Sequence, residues 1–157
     1  MTSGRATAIV IVVLTALFGV ALWYFQTQAY YVEVTADDPA GQIAVALQDG
    51  TAPMLDMTGF TGIDADTSPL RFRGCFTVAD PAALAATALP YPDPTPLNAP
   101  AWFDCYDATT IGEALETGAA QAYTGQIDYV DGVDRVIAVF PDGRGYAWHQ
   151  LNDSFAE

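Results

Sequence analysis

One apolar run dominates the pattern of the chain. From Ala6 to Phe25 it reads ATAIVIVVLTALFGVALWYF, without a charge or a proline. At a helical rise of about 1.5 Å per residue, that length crosses a hydrocarbon core. Trp23, Tyr24 and Phe25 end the run where a belt of interfacial aromatic rings belongs. Gly19, with Ala16 or Leu17 a turn away, offers a small-residue patch for a second membrane helix, although small residues are common in any such helix. Thr27, Gln28 and Ala29 faintly resemble a signal-peptide cleavage site. The run exceeds the apolar region of a signal peptide, and bulky aromatics stand where small residues are needed, so the pattern predicts a retained anchor.

Beyond the run the pattern breaks into short pieces. Tyr30 to Thr35 is rich in β-formers and reads as a strand, and Asp37, Asp38, Pro39 and Gly41 turn the chain into a second strand, Ile43 to Leu47. Asp49 and Gly50 turn again; Met54 to Phe60 fits neither period, and Thr61 to Pro69 is turn-rich. Leu70 to Val78 alternates as a strand. Asp80 and Pro81 supply an N-cap and a first-turn proline for a short alanine-rich helix to Leu89. Pro90, Pro92, Pro94, Pro96 and Pro100 then force an extended loop. A second helix runs from Ala108 to Leu115 or Glu116, with Asp107 or Thr109 as cap, Thr110 and Glu113 at capping-box spacing and Gly118 as the stop. Ala120 to Val130 and Val133 to Phe140 flank Asp131-Gly132 as a hairpin, and Pro141 to Arg144 turns the chain into GYAWHQL. The predicted fold is α+β: one transmembrane helix, then a small domain with a mainly antiparallel sheet, a C-terminal three-stranded meander and two short helices. The divisions are a short cytoplasmic N-terminus over 1–5, the span over 6–25, a periplasmic domain over 26–152 and a frayed tail over 153–157.

Charge narrows the partners. The 157 residues carry 19 Asp and Glu against 5 arginines, no lysine and one histidine, a net charge of −14. Such a surface repels phosphate backbones and excludes nucleic-acid binding, while basic proteins and divalent cations are attracted. The plain alternative is that the acids only keep the domain soluble. Arg5 precedes the apolar run and Glu33, Asp37 and Asp38 follow it. By the positive-inside bias this predicts a cytoplasmic N-terminus and a periplasmic domain on the bacterial inner membrane.

PLRFRGCFTV, Pro69 to Val78, places Arg71 and Arg73 beside Cys75. Strand alternation puts Leu70, Phe72 and Phe76 on the core face and Arg71, Arg73 and Cys75 on the other. AWFDCYD, Ala101 to Asp107, suits that second face: it holds Cys105, the possible counter-charges Asp104 and Asp107, and the bulk of Trp102, Phe103 and Tyr106. In an oxidising compartment two cysteines predict a disulfide. Closing its loop of about thirty residues contributes roughly 3.5 kcal/mol on the chain-entropy model. The reactive alternative is a thiolate stabilised by the arginines, but no Cys-x-x-Cys pair exists.

Other chemistry is thin. His149 is the only histidine and has no nucleophile elbow to serve. Met54, Met57, Cys75, Cys105 and His149 are soft donors for copper, at spacings that match no compact motif. GIDADTS starts like a calcium loop with Asp64, Asp66 and Ser68, yet Pro69 stands where its glycine belongs and Cys75 where its glutamate belongs. Asp64 and Asp66 as a catalytic carboxylate pair are a third option, although both read as turn residues. No cofactor motif is present. The anchor together with GIDADTSPLRFRGCF, AWFDCYDA and DGRGYAWHQLN resembles a family of small single-pass alphaproteobacterial proteins, a domain of unknown function, over nearly the whole chain. The resemblance implies the architecture and carries no catalytic residue, cofactor or substrate. The expected function is a non-enzymatic, membrane-anchored periplasmic domain that binds other membrane proteins or a basic periplasmic protein, as an accessory or assembly subunit of an inner-membrane energy-transducing complex. A periplasmic copper or thiol-redox handler is the alternative.

Overall fold

A computed structural model describes residues 3–156. The chain divides into two compact units between Tyr31 and Val32. The first is helix α1, Ser3–Thr27, long and apolar enough to cross a membrane by length and composition. Of the short N-terminus expected over residues 1–5, Met1 and Thr2 lie outside the described residues. The helix outlasts the apolar run by one half-turn, where the Thr27 hydroxyl donates to the Trp23 carbonyl at 2.8 Å.

The second unit is an α+β domain built on six antiparallel strands. In chain order these are β1 (Val32–Val34), β2 (Met57–Asp64), β3 (Arg73–Val78), β4 (Gln121–Val130), β5 (Val133–Val139) and β6 (Arg144–Leu151). They lie side by side as β1-β2-β3-β6-β5-β4. Two three-stranded meanders are thus joined through β3 and β6, with Cys75 opposite Tyr146 and Arg73 opposite Trp148. Helices α2 (Pro81–Thr87) and α3 (Ala108–Thr117) lie on the long connection between the meanders. Their ends follow the sequence. Asp80 accepts from the Ala83 amide, Asp107 from the amides of Thr109 and Thr110, and Gly118 closes α3 in the left-handed conformation at φ 73°.

Both faces of the sheet are covered. Phe72, Phe76, Ile137, Val139 and Ala147 form one core with Ile43, Val45 and Leu55 from the segment before β2 and with Leu84 and Ala88. Cys75, Val136, Ala138 and Trp148 form the other with Tyr106 and Ile111. An interior strand of a sheet covered on both faces can be buried throughout, as every residue of β5 is, whereas β2 and β4 keep exposed positions.

Four expectations change. Ile43 to Leu47 is not a strand: Ala44 bridges Met54 and Leu47 bridges Ala88, because Ile43 and Val45 serve as plugs across the sheet face. Thr61 to Asp64 is strand rather than turn. Pro69–Arg71 is a 3-10 turn, with the Ser68 hydroxyl accepting from the Leu70 amide, so β3 starts at Arg73. Asp153–Ala156 forms a 3-10 turn where fraying was expected, its first turn tied by the Asn152 side chain to Ser154; Glu157 lies outside the described residues.

Of the first meander only β2 escaped the sequence pattern, and for a steric reason. β2 bulges between Thr58 and Thr61, and the Phe60 ring lies over Gly62 and Gly74 of the paired strands. A Cβ on Gly62 would stand 2.7 Å from Phe60 Cζ. The glycines leave room for an aromatic lid in place of an alternating apolar face.

Candidate functional site

The proline-rich stretch becomes an arm, residues 88–107, which leaves the first core at Ala88 and crosses the second sheet face from Tyr91 onward. Its backbone pairs with other segments only at its start, where the Leu89 amide donates to the Ala46 carbonyl, the Thr124 amide to that of Leu89 and the Tyr91 amide to that of Ala122; beyond Tyr91 its position depends on side chains that reach up from the sheet. Arg73, 4 % exposed, donates from Nε to the Leu97 carbonyl at 2.7 Å and from Nη2 to that of Asn98 at 2.9 Å, while Nη1 holds the carbonyls of Leu70 and Phe72. Gln150 accepts the Thr95 amide at 2.8 Å and the Trp148 indole N–H at 3.0 Å, and donates to the Asp93 carbonyl. The Tyr91 hydroxyl donates to Asp134 at 2.9 Å. Cys75 and Cys105 are joined by a disulfide, with Cα atoms 6.4 Å apart.

The cysteines and Arg73 therefore act together, but not with the counter-charges expected. Peptide carbonyls meet Arg73 where Asp104 and Asp107 were anticipated. Asp107 is turned to the N-terminus of α3, and the hydrogen bonds from Thr110 and Thr109 hold its carboxyl below the usual range. Arg71 ends the 3-10 turn, half-buried, and does not share the strand face of Arg73. Asp104 is exposed beside Trp102 and Phe103. Trp23, Tyr24 and Phe25 sit in the last turns of α1, exposed, with the rings of Tyr24 and Phe25 edge to face at 5.7 Å.

The soft donors are dispersed. Both cysteine sulfurs are in the disulfide, Met57 packs against the first core and Met54 is exposed. His149 is 1 % exposed, stacked on Phe72 and facing Tyr129. Arg135 Nε donates to its Nε2 at 3.0 Å, so Nε2 is bare and Nδ1–H donates to the Pro69 carbonyl at 2.7 Å. Burial, then the Arg135 charge, pushes its pKa down to about 3. Among the described residues no group of three His, Cys, Asp or Glu is placed to hold a metal. Asp64 ends β2 and accepts the Ala65 amide at 2.8 Å, with burial holding its carboxyl above the usual range, whereas Asp66 is exposed.

The charge distribution was not legible beforehand. All 19 acids follow Tyr31. Of the four arginines in the same unit, Arg73 and Arg135 are 4 % and 2 % exposed, Arg144 pairs with Asp142 at 2.8 Å, and Arg71 is half-buried. Only Asp134 among the described acids is buried, 4 % exposed. Folding thus withdraws cations from the surface and leaves the anions on it.

A groove of about 400 Å³ opens between the arm, β4 and the end of β6, lined by Leu89, Ile127 and Leu151 together with Asp93, Asp134 and Asp153. A smaller apolar hollow of about 220 Å³ lies between α2 and the β4–β5 end of the sheet. No curated protein and no solved structure matches the chain. A model of a family of unknown function, DUF6446, matches residues 43–157, which takes in β2 to β6, the arm, the disulfide and the groove and leaves α1 and β1 outside. On that match the chain belongs to the family of unknown function DUF6446.

Proposed function

We propose that the chain is a non-enzymatic, membrane-anchored protein-interaction domain, with α1 as a single-pass anchor in a bacterial inner membrane and the acidic unit in the periplasm. Its partners are other membrane proteins or a basic periplasmic protein, and its role is that of an accessory or assembly subunit of an inner-membrane energy-transducing complex. The observation that supports this reading is the withdrawal of Arg73 and Arg135 into the domain, which leaves a surface dominated by carboxylates behind a helix of membrane-spanning length. Such a surface favours encounter with basic partners, and the disulfide suits an oxidising compartment.

Two measurements test it. A phosphatase reporter fused to the C-terminus is expected to be active only when exported. Mild-detergent purification of the tagged full chain is expected to bring down stoichiometric partners that dissociate at high salt. Cytoplasmic reporter activity, or recovery of the chain alone in several detergents, would overturn the reading. Two titratable thiols with bound copper would transfer it to the metal and redox alternative.

A further inference from the structure

We propose that the groove between the proline arm, β4 and the end of β6 binds an extended segment of a basic protein in which an apolar side chain is flanked by arginine or lysine. The proposal rests on the interaction-domain reading above and specifies its contact surface. Three of the seven large apolar side chains left exposed beyond residue 31 among the described residues line it: Ile127 is 60 % exposed, Leu151 49 % and Leu89 38 %.

The groove wall holds the molecule's one buried acid among the described residues. The donors to Asp134 are the Tyr91 hydroxyl at 2.9 Å, the Asp128 amide at 2.9 Å and the Asn152 side-chain amide at 2.8 Å. All three are neutral. Asp93 and Asp153 add two exposed carboxylates, and no arginine or histidine lines the groove. Three neutral donors leave Asp134 hydrogen-bonded but without a counter-charge, so its charge adds to the field of Asp93 and Asp153 and is not cancelled. The apolar floor and the anionic wall together define the ligand as an apolar side chain beside a guanidinium or ammonium.

Charge also selects against other occupants. A second copy of this chain would bring the same lysine-free acidic surface and be repelled, as would an anionic lipid headgroup. A purely apolar segment would desolvate the carboxylates without replacing their water.

The test uses the full chain in phosphatidylcholine nanodiscs and a fluorescent peptide of alternating arginine and leucine. A control peptide with serine in place of leucine has equal charge. The arginine–leucine peptide is expected to bind at least ten-fold tighter than the control. Ile127→Ser combined with Leu151→Ser should abolish that difference while leaving the control peptide's affinity unchanged. Asp93→Asn with Asp153→Asn should weaken the arginine–leucine peptide several-fold and flatten its salt dependence, and Met54→Ser, on an exposed residue outside the groove, should change nothing. All these side chains are exposed, and an unchanged urea midpoint verifies folding. Equal affinity for the two peptides, or undiminished arginine–leucine binding by the Ile127/Leu151 variant, overturns the groove. Either result leaves the anchor and interaction-domain reading intact, because that reading stands or falls on export and co-purification.

Discussion

His149 faces a guanidinium that can only donate, and this settles which proton the imidazole carries. In the unfolded chain the ring titrates near the usual 6.5, but in the fold only at about 3. Above the unfolded value neither state takes the proton, and the imidazole adds no pH dependence. Between the two values only the unfolded chain binds it, so stability falls as pH falls, by up to ~1.4 kcal/mol per pH unit. His149→Gln keeps an acceptor for Arg135 without a titrating group. Urea midpoints measured from pH 7.5 to 5 should decline for the parent and run flatter for the variant. Asp64, whose carboxyl is held above its usual range, contributes the opposite slope in both proteins, so the difference between the profiles isolates the imidazole. Arg73 shows the limit of reading residues from their neighbours. Its closeness to Cys75 on one strand face was visible in PLRFRGCFTV, but its partners are carbonyls of Leu97 and Asn98, over twenty residues away.

At the level of elements, caps and turns were legible because their chemistry is local. Asp80 before Pro81, Asp107 before α3 and Gly118 after it stand where their side chains, or the lack of one, satisfy helix ends. The C-terminal meander was equally plain, since Asp131-Gly132 suits a tight turn and the flanking runs are β-rich. β2 was not, because Phe60 fills the space that side chains on Gly62 and Gly74 would occupy. This arrangement makes a double-mutant prediction. Gly62→Ala should destabilise the domain by about 1–3 kcal/mol, as overpacking does. In a Phe60→Leu background the same change should cost clearly less, since the two side chains compete for one volume. Denaturant titration of the four proteins reads the coupling, and simple additivity would refute the proposed contact.

For the whole molecule, the balance of charge has a thermodynamic consequence. A unit that carries all 19 acids against four arginines repels itself in the folded state. Screening should therefore stabilise it. Raising sodium chloride from 20 to 500 mM, taken as about 20 Å to 4 Å of screening length, should raise the urea midpoint, and a fall would show that attractive pairs dominate. The membrane-length helix, the α+β class, the closing meander, the helix caps and a cysteine pair fit for a disulfide could all be read along the chain, because hydropathy, turn chemistry and capping act over a few residues. Folding in three dimensions set the rest: both sheet faces are covered, Ile43 and Val45 plug a face instead of extending the sheet, Arg73 clamps the proline arm through its carbonyls, and Asp93, Asp134 and Asp153 meet Leu89, Ile127 and Leu151 in one groove. Those arrangements depend on contacts between residues far apart in the chain, and no local pattern of polar and apolar positions encodes which distant backbone or side chain will arrive.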